Sequence, residues 1–298
     1  MTGANAVVIV IYMTEVLAIR QPFSTGGSSV DREDRLGGID THAHVFVRGL
    51  PLAKTRRYAP EHEATLDDYI GHLDTHGLAG GVLVQPSFFG TDNRFLLDCV
   101  ASVPHRLRGV VVVDPGIQSR DLQSLQSRGV VGVRLNLIGA PPPDLAEPSW
   151  QAFLRRVADA GLHVEVQAQG AEWVSLMPSL LASGADLVVD HFGRPSAELG
   201  ADDPGFLTLL RAVQTGRVWV KMSGPYRFGH ETAAACARAL AADPGPDRLL
   251  WGSDWPWTQH ESQVEYGQCL DWLFDWLPSL KQRSTALRDT ARKLYRFD

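Results

Sequence analysis

Three histidines and one aspartate in this 298-residue chain are of the types that move protons or hold a metal ion. His42 and His44 share the run GIDTHAHVF, His191 sits in DHFGRP, and Asp254 in WGSDWP. A neutral imidazole can donate a hydrogen bond, accept one, or ligate a metal through its ring lone pair. A carboxylate beside such rings can serve as a general base. Arg134, Arg194, Arg227, Tyr226, Ser87 and Asn93 add donors suited to a small anion, since a guanidinium forks a carboxylate with two parallel bonds. Taken alone, HxH leaves three readings open: a metal site, a pair of substrate donors, or an ordinary turn.

These residues are scattered along the chain, so the fold has to gather them. Eight short β-branched runs recur, at 37–40, 80–87, 108–115, 130–139, 162–169, 186–193, 218–225 and 248–256. They are apolar without strict alternation, which suits parallel strands buried on both faces. Amphipathic helices lie between them. In TLDDYIGHLDTHG, Leu66, Tyr69, Ile70 and Leu73 form one face, Thr65 and Asp68 make a capping box, and Gly77 closes the helix. PSWQAFLRRVADAG and PGFLTLLRAVQTG repeat the pattern. Eight strand–helix units predict a single-domain α/β fold, the (β/α)8 TIM barrel, over residues 36–298. A doubly wound open sheet is the alternative, but no Gly-rich phosphate loop follows the first strand. In a barrel the chemistry belongs at the C-terminal ends of the strands, where all the residues singled out above fall.

Composition narrows the field. A net charge of −6 argues against a nucleic-acid partner, which needs a broad basic footprint, but not against a local arginine pocket. Cys99, Cys236 and Cys269 are odd in number and far apart, which predicts buried free thiols in a reducing cytoplasm rather than disulfides or a zinc knuckle. The apolar stretch at 6–13 is too short to span a bilayer, and no basic residue precedes it, so no membrane or signal segment is expected. Residues 1–35 read as a disordered N-terminal extension.

HxH after the first strand, DHFGRP after the sixth and WGSDWP after the eighth resemble the amidohydrolase superfamily. VGVRLN, GTDN and WGSDWPWTQHE carry a narrower similarity to its lactone-hydrolase branch, whose substrates include 2-pyrone-4,6-dicarboxylate and 4-sulfomuconolactone. The resemblance implies a hydrolase of aromatic-acid catabolism that opens a small carboxylate-bearing lactone. Asp254 would activate water, and His42, His44 and His191 would polarise the carbonyl. Arg134, Arg227, Tyr226, Ser87, Asn93 and Arg194 would bind the substrate, with Arg94 a weaker candidate. Hydrolytic members usually complete a metal site with a fifth-strand histidine or a fourth-strand lysine. Here those strands offer Gln167, Gln169 and Arg134, so no metal is favoured. The alternative is one divalent ion such as Zn2+ on His42, His44, Asp254 and His191. Alternative activities are a metal-dependent decarboxylase of an aromatic acid and a sugar-acid lactonase. The assembly expected is a monomer or small homo-oligomer.

Further expectations concern neighbours of the site. Trp251, Trp255 and Trp257 should desolvate Asp254 and raise its pKa. Asp190 should orient His191 or cap a turn, and Asp40 should hold the first-strand turn. His72 and His76 read as a solvated pair on a helix surface. His62, His105, His163 and His230 read as structural or exposed, and His260 as a candidate for the rim. Trp272, Leu273, Trp276 and Leu277 read as barrel packing.

Overall fold

The computed structural model describes residues 36–298 apart from 140 and 244; the extension read at 1–35 lies outside them. Eight parallel strands run in the order β1 to β8. They are β1 (Ile39–Ala43), β2 (Gly80–Val84), β3 (Leu107–Val111), β4 (Val130–Asn136), β5 (His163–Gln167), β6 (Leu187–Val189), β7 (Val218–Met222) and β8 (Leu249–Trp251). Helices follow each: α1 (Leu66–Thr75), α2 (Arg94–Ser102), α3 (Ser119–Ser127), α4 (Pro148–Asp159), α5 (Trp173–Ala182), α6 (Pro204–Val213), α7 (His230–Ala242) and α8 (Tyr266–Trp276). Two short helices, α9 (Leu280–Ser284) and α10 (Thr290–Tyr295), end the chain. This is the expected (β/α)8 barrel.

Local chemistry sets the element ends. Thr65 Oγ1 accepts from Asp68 N at 3.2 Å and Asp68 Oδ2 from Thr65 N at 3.3 Å, so the capping box at α1 forms. Gly77 follows at φ +70°, a left-handed conformation that favours glycine. Asp203 caps α6 by accepting from Gly205 N and Phe206 N.

The barrel closes between β1 and the turn after β8. Asp254 N donates to His42 O and His44 N to Trp255 O, both at 2.8 Å. Asp40 staples this seam. It accepts from His42 N, Ser253 N, Ser253 Oγ and Tyr266 OH at 2.6–3.2 Å, while burial pushes its pKa up. The structural reading of Asp40 holds. At Gly252 a Cβ would meet His42 Cβ at 2.7 Å, so only glycine lets the two chain segments approach this closely.

His72 and His76 differ from expectation. Both rings stack on Tyr266 of α8, with centroids 4.7 and 5.0 Å away. They are half-buried and brace the tyrosine that serves Asp40, rather than forming a solvated pair. Trp276 packs on Phe192 and, with Leu273 and Leu277, is buried in the barrel's outer core, as read. The three cysteines are free and buried. Among the described residues no helix is long and apolar enough to cross a membrane.

Candidate active site

The strand ends bring the three histidines onto one oxygen. His42 Nε2 and His44 Nε2 each lie 3.7 Å from Asp254 Oδ1, and His191 Nε2 lies 3.9 Å from it. The two first-strand rings approach edge to face, Nε2 to Nε2 at 3.3 Å. Asp254 Oδ1 is buried and has no hydrogen-bond partner among the described residues. Its other oxygen, Oδ2, accepts from Tyr226 OH at 2.6 Å and from Arg227 Nε at 2.7 Å. One carboxylate oxygen is therefore anchored while the other faces three ring nitrogens.

Backbone conformation aims these groups. Asp254, His191 and Arg194 have φ between +47° and +58°, the left-handed region that costs a non-glycine residue roughly 1–3 kcal/mol and persists only where surrounding contacts enforce it. The seam bond from Asp254 N does so on one side. On the other, Gly224, itself at φ +60°, sits where a Cβ would come 3.1 Å from His191 Nδ1 and 3.2 Å from Asp254 Oδ2.

The rings are held neutral. Burial drives His191 down to about 3 and His44 to about 4, and puts His42 well below its ordinary value, with the Lys221 charge adding to the last. Asp254 departs from expectation. Burial pushes its pKa up, as the tryptophans suggested, but Arg227 and the three histidines outweigh it and hold the carboxyl well below the usual range. The ion pair to Arg227 decides the sign.

Beneath the rim lies a second layer of charge. Arg134 donates through Nε and Nη2 to Asp190 Oδ2 at 3.1 and 2.9 Å, and through Nη2 to Gln167 Oε1 at 3.0 Å. Lys221 donates to Glu165 Oε2 at 2.5 Å and lies 3.1 Å from His42 Nδ1. All four charged groups are 0–3% exposed. Asp190 thus serves Arg134 and lies 3.2 Å from His42 Nδ1, where orientation of His191 was expected. His191 Nδ1 pairs instead with Ser223 Oγ at 2.8 Å. Glu165 and Lys221 are not singled out by the sequence, although Glu165 stands two residues before the strand-end residue Gln167 and Lys221 two before Ser223, the partner of His191. An inward face repeats every second residue.

A cavity of about 430 Å3, counting its open mouth, leads from solvent to this centre. Arg57, Arg134, Arg194, Arg227, Ser87 and Tyr58 line it beside His44, His191 and Asp254. Arg57 and Tyr58 are new to the set; they lie in the long loop after β1, outside the strand ends. Arg194 and Arg57 have their pKa values lowered by burial and by the neighbouring arginine charges. Asn93 does not reach the cavity. Its amide donates to Thr91 O and Val112 O and accepts from Val112 N, tying the loop after β2 to the end of β3. Arg94 is exposed and pairs with Asp92 at 2.6 Å. His163 sits at the start of β5 against Tyr295, as read, and His230 is exposed. His260 packs at a tilt against Tyr226, with centroids 4.9 Å apart.

The donor set suits one divalent ion. Ligand atoms of His42, His191 and Asp254 lie within 4.8 Å of one another, His44 Nε2 lies 3.7 Å from Asp254 Oδ1 but outside that group, and Asp254 Oδ1 is a buried acceptor with no partner among the described residues. Tetrahedral zinc bonds of about 2.0–2.2 Å set ligand atoms roughly 3.3–3.6 Å apart, close to the 3.7 and 3.9 Å from His42 and His191 to Asp254 Oδ1. A second group, His42, Glu165 and Asp190, already has the Lys221 ammonium among its oxygens.

Barrel, rim histidines and eighth-strand aspartate together define a class, and the sequence matches it: the chain belongs to the amidohydrolase family, whose model covers residues 39–297. More particular likenesses are to lactone hydrolases. The chain is 30% identical to a 2-pyrone-4,6-dicarboxylate hydrolase of Comamonas testosteroni, over 87% of this chain and 90% of that one. It is also 30% identical to a 4-sulfomuconolactone hydrolase of Hydrogenophaga intermedia, over 87% and 88%. A solved structure from Acinetobacter baumannii, assigned as a 2-pyrone-4,6-dicarboxylic acid hydrolase and holding citric acid, superposes with a TM-score of 0.85 at 38% identity, covering 88% of this chain and all of that one.

Proposed function

We propose that this protein hydrolyses a small lactone carrying carboxylate groups. The observation that carries the reading is the charge of the cavity. Four arginines line it, and only Asp254 among the lining residues is acidic. Among the described residues Arg57 and Arg194 have no carboxylate within ion-pair distance, and crowding with other arginines disfavours their charge. Such a site gains most from an anionic ligand that separates the cations. The relatives' names point the same way, as does the citric acid held by the solved relative.

The chemistry follows from the two oxygens of Asp254. Substrate carboxylates pair with Arg194, Arg57 and the Nη groups of Arg227, which Asp254 leaves unused. The lactone carbonyl points at the histidine rings, where the Nε2–H groups of His42 and His191 stabilise the developing oxyanion. Water attacks the carbonyl carbon, and its proton passes to Asp254 Oδ1. The ring C–O bond breaks, and Asp254 returns the proton to the departing oxygen. A carboxylate drawn onto Arg227 competes for the charge that keeps Asp254 acidic, so Oδ1 becomes more basic once substrate is in place. If the site holds a divalent ion, on His42, His44, His191 and Asp254, the ion supplies Lewis-acid polarisation of the carbonyl.

Opening a lactone at neutral pH releases a proton, which gives the test. In a pH-stat panel, 2-pyrone-4,6-dicarboxylate or a similar dicarboxylated lactone should be opened. Neutral sugar lactones should show at least about a hundredfold lower kcat/KM, because each charge-assisted bond they lack is worth roughly 1.5–3 kcal/mol. Equal turnover of neutral lactones would overturn the anionic-substrate reading, and carbon dioxide release without ring opening would favour the decarboxylase.

A further inference from the structure

Lys221 is buried completely and touches neither the cavity lining nor solvent. Its place in the layer beneath the rim gives it a consequence for the chemistry above. An ammonium carries three N–H donors and no lone pair, so any group in hydrogen-bond contact with it must accept. His42 Nδ1, 3.1 Å from Lys221 Nζ, is such a group. The neutral ring of His42 then bears its single proton on Nε2, the nitrogen that faces Asp254 and His44.

The neighbouring ring agrees with this assignment. His44 Nδ1 lies 2.7 Å from Val84 O, and a carbonyl oxygen can only accept, so His44 carries its proton on Nδ1 and presents a lone pair at Nε2. The 3.3 Å contact between the two Nε2 atoms is therefore a donor facing an acceptor. The bonds run in one direction, from Lys221 to His42 to His44 to Val84.

Two carboxylates compete for His42 Nδ1, and the farther, Glu165 Oε1 at 3.7 Å, is buried with no hydrogen-bond partner among the described residues. Asp190 Oδ1 lies 3.2 Å away, is buried, and has no hydrogen-bond partner among the described residues. It would accept from Nδ1 if the proton were there. That arrangement would set an N–H against the Lys221 ammonium, which Glu165 holds in place at 2.5 Å.

We propose that Lys221 is a positioning residue that fixes His42 as the Nε2–H tautomer, a donor that turns from His44 to the substrate carbonyl when substrate binds, and that it thereby weakens the site's hold on a divalent cation. A metal at the rim needs lone pairs from both first-strand histidines. His42 can offer one only by moving its proton to Nδ1, against Lys221. The donor role rests on the lactone-hydrolase reading; the tautomer does not.

The test begins with the full-length protein, dialysed against chelator and labelled with 15N-histidine. Long-range proton–nitrogen correlation spectra distinguish the two tautomers directly. Wild type should show His42 protonated at Nε2. Lys221→Met alone takes from buried Glu165 its nearest counter-charge and leaves only Arg134 Nε at 3.8 Å, so the double variant Lys221→Met/Glu165→Gln carries the comparison. In it His42 should switch to Nδ1–H, bonded to Asp190. A zinc titration of the same sample should tighten roughly ten- to a hundredfold, the range over which outer hydrogen bonds tune metal ligands. Nδ1–H in wild type would overturn the proposal, as would an unchanged tautomer or unchanged zinc affinity in the double variant. Failure on every lactone with the Nε2–H tautomer intact would count against the substrate reading and leave the role of Lys221 standing.

Discussion

The inside of the barrel has two halves that are stable for different reasons. In one, Ile39, Val82, Val110, Val188 and Leu250 pack together with Tyr295 of the last helix beside them. In the other, contributed mainly by β4, β5 and β7, Glu165, Lys221, Arg134 and Asp190 fill the interior with two positive and two negative charges. Each apolar side chain contributes by leaving water, whatever its neighbour. Each charge is tolerated only because its partner is present, since burying an ion costs several kcal/mol unless pairing offsets it. The apolar half stabilises the fold. The charged half holds the rim histidines in place and is stable only as a complete set.

Breaking each half separately tests that contrast. Glu165→Gln takes from Lys221 its nearest counter-charge, leaving Asp190 Oδ1 at 3.5 Å, and should cost about 3–5 kcal/mol, with activity disturbed as well. Leu250→Ala should cost about 2–5 kcal/mol by opening a cavity, yet leave kcat within about twofold in the protein that remains folded. Denaturant midpoints and single-temperature kinetics on both variants check this. Equal loss of kcat in the two would erase the distinction between the halves.

Above these layers, Arg194→Met removes one cavity charge that has no carboxylate partner of its own. KM for a dicarboxylated lactone should rise about tenfold or more, with a much smaller change in kcat, as one charge-assisted contact of roughly 1.5–3 kcal/mol is lost. An unchanged KM would remove Arg194 from the substrate site.

A further contrast concerns pH. His44 and His191 titrate near 4 and 3 in the folded protein against an ordinary 6.5. Below about pH 6.5 the unfolded chain takes up protons that the native rings refuse. Stability therefore falls as pH drops toward 4, by up to about 1.4 kcal/mol per pH unit for each ring. Melting temperatures at pH 7, 6 and 5 should decline in order; a flat series would contradict neutral buried rings.

Much of this was legible in the sequence, and the misreadings have a common cause. The strands were visible because parallel strands buried on both faces leave uninterrupted apolar runs, and α1 was visible because Thr65 and Asp68 cap it locally. The rim histidines and Asp254 were visible because barrel strands end where chemistry collects. What escaped depends on which side chain meets which across the fold. The pKa of Asp254 turns on Arg227, not on the tryptophans. Asn93 has its amide consumed by backbone, and His72 and His76 brace a tyrosine on a helix far along the chain. Glu165 and Lys221 had a usable signal, a charged residue at an inward position of an otherwise apolar strand. Both positions lie below the strand ends, one inward step beneath the rim where barrel chemistry collects.

The most direct test of the account is Asp254→Asn, assayed by proton release on the best lactone in the panel. The amide keeps the shape of the carboxylate but cannot take the water proton, so kcat should fall by more than about a hundredfold in a protein whose circular dichroism is unchanged. Turnover within a few fold of wild type would contradict the assignment of Asp254 Oδ1 as the base.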